Sequence, residues 1–296
     1  MPFLYLGETL KLNATTRATA SGSFVELTDG MTHYELGGSS DGAPVVLIHG
    51  FSVPYFIYDP TFDFLSKSGF RVLRYDLFGR GWSDRPRLPY NVDLFVRQLR
   101  DLLDILWLPT PLSLVALSMG GPISASFSIR YPGCVATNVL IDPAGTHSVQ
   151  LGLYKALTLP FIGELALGLA GGERMIMNAA AGFFDPVTVA RFQSQYRLQM
   201  QIEGFKRALL SSIRNGMLGD FSDSYRRLGA LGKPTLLLWG KNDTTVPFAH
   251  SADLLKLLPQ AEFHAVENAG HIPHYERPEE VNPILLEFLM RREPSP

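Results

Sequence analysis

Short apolar segments alternate with amphipathic helical patterns along most of this chain of 296 residues. Each apolar segment is bounded by Gly, Pro, Asp or Asn, which is typical of buried strands. Because strands that alternate with helices form a parallel sheet covered on both faces, the pattern predicts an α/β fold. The six segments are Val45–His49, Val72–Asp76, Leu112–Leu117, Asn138–Asp142, Thr235–Trp239 and Glu262–Glu267.

An antiparallel hairpin is predicted ahead of these strands. Phe24–Leu27 and Met31–Leu36 flank the turn residues 28–30, so the sheet is predicted to be mostly parallel and eight-stranded. Helices are predicted where apolar residues recur at spacings of three and four, over Val92–Leu106, Ala249–Leu258 and Glu279–Met290.

The alternation stops near residue 147. Residues 148–228 contain no segment typical of a strand, and they are rich in helix-favouring Leu, Ala, Met, Gln and Arg. A connection of roughly 80 residues is far longer than an ordinary crossover. We therefore predict an α/β core formed by residues 1–147 and 229–296, with residues 148–228 as a helical cap over the carboxyl edge of the sheet.

Charge and composition exclude several classes of function. The 26 basic and 28 acidic residues leave a net charge of −2, which offers no footprint for nucleic acid. The one cysteine, Cys134, excludes an internal disulfide framework. The apolar stretch 151–172 is interrupted by Lys155, Pro160 and Glu164, so no membrane span is predicted. Since the N-terminus lacks the pattern of a signal peptide, we expect a cytoplasmic protein.

A serine lies at a turn between a predicted strand and a predicted helix. Leu112–Gly121 runs from the buried strand into Ser118 and then into a helical segment. Such a turn holds the serine Oγ clear of the sheet, where it can attack an acyl carbon. The turn requires small residues two positions away on each side, and Ala116 and Gly120 meet that need. At the start of the helix, the Met119 N–H is predicted to stabilise an oxyanion.

A serine hydroxyl needs a neighbouring base to accept its proton. Among the seven histidines, His271 follows the last predicted strand and therefore lies on the same sheet edge as Ser118. The small residues before it allow a tight loop. His274 is the main alternative, whereas His264 and His250 are predicted inside a strand and a helix.

A carboxylate is needed to fix the tautomer of the base and to stabilise the imidazolium. Asp243 follows the predicted strand Thr235–Trp239 on the same edge, and the order Ser, Asp, His is the one expected for this architecture. Two alternatives remain open. Asp142 ends the preceding strand and could be the acid, and Asp243 could instead be a turn or helix-capping residue.

A second oxyanion donor is predicted in the loop after the first parallel strand. Gly50 permits the turn and the Phe51 N–H faces the substrate, whereas His49 is predicted to bond backbone groups of the loop. The sequence contains no His-Glu-x-x-His, no paired cysteines and no phosphate-binding loop. We therefore expect no metal and no cofactor.

Together these motifs resemble the α/β-hydrolase superfamily, in particular capped serine esterases and lipases, over nearly the whole chain. The resemblance implies that Ser118, Asp243 and His271 form a catalytic triad, and that Asp76 begins a loop that braces the oxyanion region. Ala116 departs from the glycine usual in the family, and Leu77 and Phe78 depart from the usual residues of the bracing loop. The motifs are residues 49–51, residues 75–84, the turn at Ser118, Asp243 and residues 268–271.

The resemblance implies a small-molecule ester as substrate. Carbon–carbon hydrolases of this superfamily often carry Asn before the serine and monoacylglycerol lipases often carry His, but this chain has Leu117. We expect a carboxylesterase for apolar short- to medium-chain esters. Perhydrolase, thioesterase and carbon–carbon hydrolase chemistry, and a slow-turnover ligand receptor, remain alternatives. Apolar cap residues that either line this site or pack the cap helices are Phe161, Ile162, Leu165, Leu167, Leu169, Met175, Met177, Phe183 and Phe184.

Overall fold

The computed structural model describes residues 5–147, 157–169 and 172–291. Its strands are β1 (Ser23–Leu27), β2 (Gly30–Gly38), β3 (Pro44–Ile48), β4 (Arg71–Tyr75), β5 (Leu112–Leu117), β6 (Val135–Ile141), β7 (Thr235–Gly240) and β8 (Glu262–Val266). They form one 8-stranded sheet in the order β1-β2-β4-β3-β5-β6-β7-β8. Only the pairs β1–β2 and β2–β4 are antiparallel, which confirms the predicted mostly parallel sheet.

Helices cover both faces of the sheet. They are α1 (Ala14–Arg17), α2 (Asp59–Lys67), α3 (Val92–Ile105), α4 (Gly120–Arg130), α5 (Ile162–Leu169), α6 (Gly172–Ala180), α7 (Pro186–Gln201), α8 (Phe205–Arg214), α9 (Ser222–Ala230), α10 (His250–Leu257), α11 (Pro273–Glu276) and α12 (Pro278–Met290). Within the described ranges, no helix combines the length and the apolar character needed to cross a membrane.

Alternate residues of the central strands point to opposite faces and fill two separate cores. Val46 and Ile48 of β3 pack in the core that includes residues of α3 and α4. Val45 and Leu47 pack in the other core, with residues of α2 and α12. Burial on both faces explains why these strands read as continuous apolar runs rather than as alternating patterns.

The helices α5 to α9 lie between β6 and β7, the part of the chain where a cap is predicted. Residues 148–156 and 170–171 of that segment lie outside the described residues. The last helix, α9, packs on the core helix α4, and its Tyr225 hydroxyl donates to the Ala144 carbonyl at 2.6 Å. Packing between helices does not account for every apolar residue here, since Phe161, Leu169 and Met177 are exposed by 82%, 66% and 58%.

The turn after β5 approaches β3 too closely for a side chain at Gly120. A Cβ at this position would lie 2.5 Å from the Ile48 carbonyl oxygen and 3.0 Å from that of His49. Both neighbours are backbone atoms, which cannot rotate away. The glycine is therefore required to seat the start of α4 on β3, as the sequence predicts.

A buried ion pair lies beneath the loop that follows β3. His33 Nδ1 is 2.7 Å from Asp76 Oδ2, and His33 Nε2 is 2.6 Å from the Ser21 carbonyl oxygen. Because both partners are acceptors, both ring nitrogens donate and His33 is an imidazolium. Asp76 also accepts from the N–H groups of Tyr55 and Trp82, so one carboxylate fixes two loops and a strand.

Gly120→Ala is expected to destabilise the protein by about 1–3 kcal/mol, because the added methyl group overpacks a contact with rigid backbone. Urea unfolding measures the change. Gly133→Ala is the matched control, since a Cβ at Gly133 would meet nothing within 4 Å. Equal stability of the two variants would contradict the assigned contact.

The His33–Asp76 pair predicts a specific pH dependence of stability. Burial would lower the pKa of His33, but the hydrogen bond and charge of Asp76 outweigh it and raise the pKa. Burial would raise the pKa of Asp76, but His33 outweighs it and the pKa is lowered.

The pair therefore contributes fully to the stability of the fold when the pH lies between the ordinary pKa values of 3.8 for Asp and 6.5 for His. It is lost as the pH rises through the raised pKa of His33, and as the pH falls through the lowered pKa of Asp76. In urea unfolding from pH 5 to 9, the wild type should lose stability relative to His33→Gln as the pH rises. Parallel curves for wild type and His33→Gln would refute the assignment.

Candidate active site

Ser118 lies at the carboxyl end of β5 in a strained backbone conformation. Its φ is 53°, in the left-handed region that a residue with a side chain seldom adopts. The strain is held by backbone hydrogen bonds: the Ser118 N–H donates to the Ile141 carbonyl at 2.9 Å, and its carbonyl accepts from Gly121 and Ala144. Strained residues of this kind cluster at functional sites.

Asp243 and His271 meet at the carboxyl ends of β7 and β8. His271 Nδ1 donates to Asp243 Oδ2 across 2.8 Å. The other carboxylate oxygen, Oδ1, accepts from the N–H groups of Thr245 and Val246 at 2.7 and 2.9 Å, so the Asp243 side chain is fixed. This arrangement sets the histidine tautomer and leaves Nε2 as the nitrogen able to accept a proton.

Ser118 and His271 are on the same edge of the sheet and are almost equally buried, at 8% and 9% exposed. Within the described residues, no hydrogen bond joins the Ser118 hydroxyl to the imidazole. Such bonds are often long without substrate and tighten only in the reacting complex. The structure thus joins the acid to the base directly, and brings the serine to the same edge.

Asp142, the alternative acid, ends β6 between the strands that carry Ser118 and Asp243. Its Oδ1 accepts from the Gly240 N–H at 2.9 Å, whereas its Oδ2 is buried without a hydrogen-bond partner in the described chain. Burial and the neighbouring charge of Asp243 raise the pKa of Asp142. The buried carboxyl of Asp142 thus lies beside the carboxyl that pairs with His271, in surroundings that disfavour a charge on Asp142.

Asp142, Asp243 and His271 are also the described residues that could surround a metal ion, since each offers an atom within 4.8 Å of the others. However, His271 Nδ1 is bonded to Asp243, and one oxygen of each carboxylate already accepts from the backbone. Hydrogen bonds therefore occupy His271 Nδ1, both oxygens of Asp243 and one oxygen of Asp142, whereas Asp142 Oδ2 has no partner among the described residues.

His274, the alternative base, has a different role. Its side chain is fully buried, and its ring packs against Tyr58 with centroids 4.6 Å apart. Burial lowers the pKa of His274 to about 3, so the ring is neutral. A neutral, inaccessible imidazole serves as a packing residue rather than as a base for the serine.

The two predicted oxyanion donors flank Ser118. Met119 precedes α4, and Phe51 lies in the loop after β3, where a Cβ on Gly50 would be 3.2 Å from Ser118 Cβ. Among the described residues, neither the Phe51 N–H nor the Met119 N–H has an acceptor. Two unpaired donors beside a serine are the arrangement that a tetrahedral oxyanion requires.

His49 is structural, as predicted. Its Nδ1 donates to the Gly50 carbonyl at 3.0 Å and its Nε2 accepts from the Leu77 N–H at 2.9 Å. Burial lowers its pKa to about 4, so the ring stays neutral as both bonds require.

Arg80 was not identified from the sequence as a residue of this region. Its Nε donates to the Phe51 carbonyl at 2.7 Å, and an Nη donates to the Ser212 hydroxyl of α8 at 2.8 Å. Burial lowers the pKa of Arg80 to about 10, which leaves it charged at neutral pH. The only signal was its place in the bracing loop, which does not reveal a contact with α8.

Known proteins share both sequence and fold with this chain. It is 28% identical over 295 residues to a 2-hydroxy-6-oxononadienedioate/2-hydroxy-6-oxononatrienedioate hydrolase of Paraburkholderia phymatum, a match that covers 93% of this chain and 98% of that protein. An esterase of Thermogutta terrifontis superposes with a TM-score of 0.78 at 24% identity, covering 92% of this chain and 100% of the esterase. A membrane phospholipase A gives 0.76 at 25% identity, covering 93% of this chain and 87% of that one.

The model of the alpha/beta hydrolase family matches residues 45–284, a span that runs from β3 into α12 and includes every residue of the site. The chain therefore belongs to the alpha/beta hydrolase family.

Proposed function

We propose that this hydrolase cleaves carboxylic esters with short- to medium-length apolar acyl chains through an acyl-enzyme on Ser118. The observation that carries the proposal is the bond of 2.8 Å between Asp243 and His271, on the sheet edge where Ser118 adopts its strained turn. Two N–H donors beside the serine complete the set of groups that acyl transfer needs.

The proposed mechanism has two matching halves. Ser118 Oγ attacks the ester carbonyl while His271 Nε2 accepts its proton, and the Asp243 carboxylate stabilises the imidazolium. The N–H groups of Phe51 and Met119 bind the oxyanion. His271 then protonates the leaving alcohol. Water next attacks the acyl-enzyme while His271 accepts its proton, and His271 returns a proton to Ser118 Oγ as the carboxylic acid leaves.

Two features favour an ester as substrate. The chain is 25% identical to a protein named as a phospholipase A, a class that acts on esters. The cap segment also offers apolar side chains, of which Met175 and Phe183 pack beside the core.

Hydrolysis of a carbon–carbon bond is the second candidate. It is favoured by four relatives named as 2-hydroxy-6-oxononadienedioate/2-hydroxy-6-oxononatrienedioate hydrolases, at 26–28% identity over most of the chain. Measured rates on four kinds of substrate separate ester, thioester, perhydrolase and carbon–carbon hydrolase chemistry. The substrates are p-nitrophenyl esters from acetate to palmitate, a thioester, acetate with peroxide, and a 2-hydroxy-6-oxodienoate. Turnover of the dienoate alone would reject the ester proposal, and a persistent adduct on Ser118 without turnover would indicate a receptor.

Ser118→Ala is expected to lower kcat by at least about 10⁴-fold, because no other group supplies the nucleophile. Folding should be preserved, since the lost hydroxyl makes no hydrogen bond in the described chain. A fluorophosphonate probe should add once to the wild type and not to the variant, as measured by intact mass. An unchanged rate in this variant would remove Ser118 from the mechanism.

Asp243→Asn is expected to lower kcat/KM by about 10³–10⁴-fold, because an amide cannot fix the tautomer or stabilise the imidazolium. Asp142, the alternative acid at the end of β6, should take over part of this role and rescue part of the rate. Adding Asp142→Asn to Asp243→Asn should therefore reduce the residual rate further, whereas Asp142→Asn alone should cost much less. Equal rates for the double variant and Asp243→Asn would exclude the rescue.

A further inference from the structure

Glu276 is a buried acid next to the site that the mechanism does not use. It ends α11, five residues after His271, and is 5% exposed. Its carboxylate accepts three backbone N–H groups from two distant segments. Oε1 accepts from Gly270 at 2.9 Å, and Oε2 accepts from Phe184 at 2.6 Å and from Asp185 at 3.1 Å.

The two segments joined by Glu276 are the loop that carries His271 and the entrance to α7. Gly270 directly precedes His271, and residues 182–185 connect α6 to α7. We call residues 182–185 the cap strap. One carboxylate thus ties the backbone on the amino side of the proposed base to the cap.

Direct backbone contact reinforces this connection. The His271 N–H donates to the Gly182 carbonyl at 2.7 Å. A Cβ on Gly270 would lie 2.0 Å from the same carbonyl oxygen, so the cap strap and the histidine loop touch without room for a side chain. The backbone at residues 270 and 271 is therefore held from the cap side.

We propose that Glu276 is a positioning residue that sets the orientation of His271 toward Ser118 by clamping the histidine loop to the cap strap. The inference rests on the proposed function, since it assigns Glu276 a role in the action of that base. A carboxylate is needed at residue 276 because both of its oxygens must accept hydrogen bonds, Oε1 from Gly270 and Oε2 from the cap strap.

The surroundings of Glu276 explain why an uncharged residue does not suffice. Within the described chain Glu276 has no ion pair with Lys, Arg or His, and the neighbouring Arg277 donates instead to the Asn268 carbonyl at 3.1 Å. Glutamine would fill the same space, but it has one acceptor oxygen, and its NH2 group would face the N–H of either Gly270 or the cap strap. Glutamine would therefore lose the hydrogen bonds either to Gly270 or to the cap strap.

Glu276→Gln is the test, with Glu280→Gln on the exposed surface of α12 as the matched control for charge. We expect Glu276→Gln to lower kcat on a p-nitrophenyl ester at least tenfold with KM within threefold, and to slow fluorophosphonate labelling of Ser118 by a similar factor. Amide hydrogen exchange at Gly270, His271 and the cap strap should accelerate, with exchange in β5 unchanged. The control should match the wild type.

An unchanged kcat, or a rise in KM alone, would overturn the proposal. Glu276 would then hold the cap strap in place without affecting the orientation of His271. If Glu276→Gln does not fold, Glu276→Asp keeps the charge but is one methylene too short to bridge both segments. It should also lower kcat, and a wild-type kcat in Glu276→Asp would overturn the clamp. Failure of the wild type to turn over esters or to be labelled would instead reject the proposed function, and hydrogen exchange would still report on the clamp.

Discussion

Parallel pairing of β5, β6, β7 and β8 is the constraint from which the site follows. Adjacent parallel strands end at one edge, about 5 Å apart, so residues that follow them in the sequence become neighbours in space. Ser118, Asp142 and Asn268 all have positive φ values at that edge. Three of the four strands, β5, β6 and β8, are thus followed by a sharp turn at this edge, and the backbone strain is offset by the rigid sheet beneath it.

Much of this arrangement could be predicted from sequence. The strand β5 is predicted to the residue, and Asp243 and His271 are predicted from their places after strands. The strand prediction is confirmed because buried strands are short apolar runs, and Asp243 lies beside His271 because sheet topology fixes where strand ends lie. The predicted start of β6 at Asn138 is three residues too late, since the strand begins at Val135.

The parts that could not be predicted depend on contacts between distant segments. Glu276 and Arg80 each bond backbone or side chains of the segment between β6 and β7, and no local pattern marks either contact. The exposure of Phe161, directly before α5, also escapes sequence reasoning, because an apolar segment is expected to be covered. Local propensity shows which elements form, but it does not show which of their faces meet.

Arg80 joins the loop after β3 to α8, because its guanidinium donates to both the Phe51 carbonyl and the Ser212 hydroxyl. A movement that carries α8 outward would strand a guanidinium N–H in a dry interior, at a cost of about 1–3 kcal/mol. The buried guanidinium therefore couples the position of the loop that carries the Phe51 N–H to the position of α8.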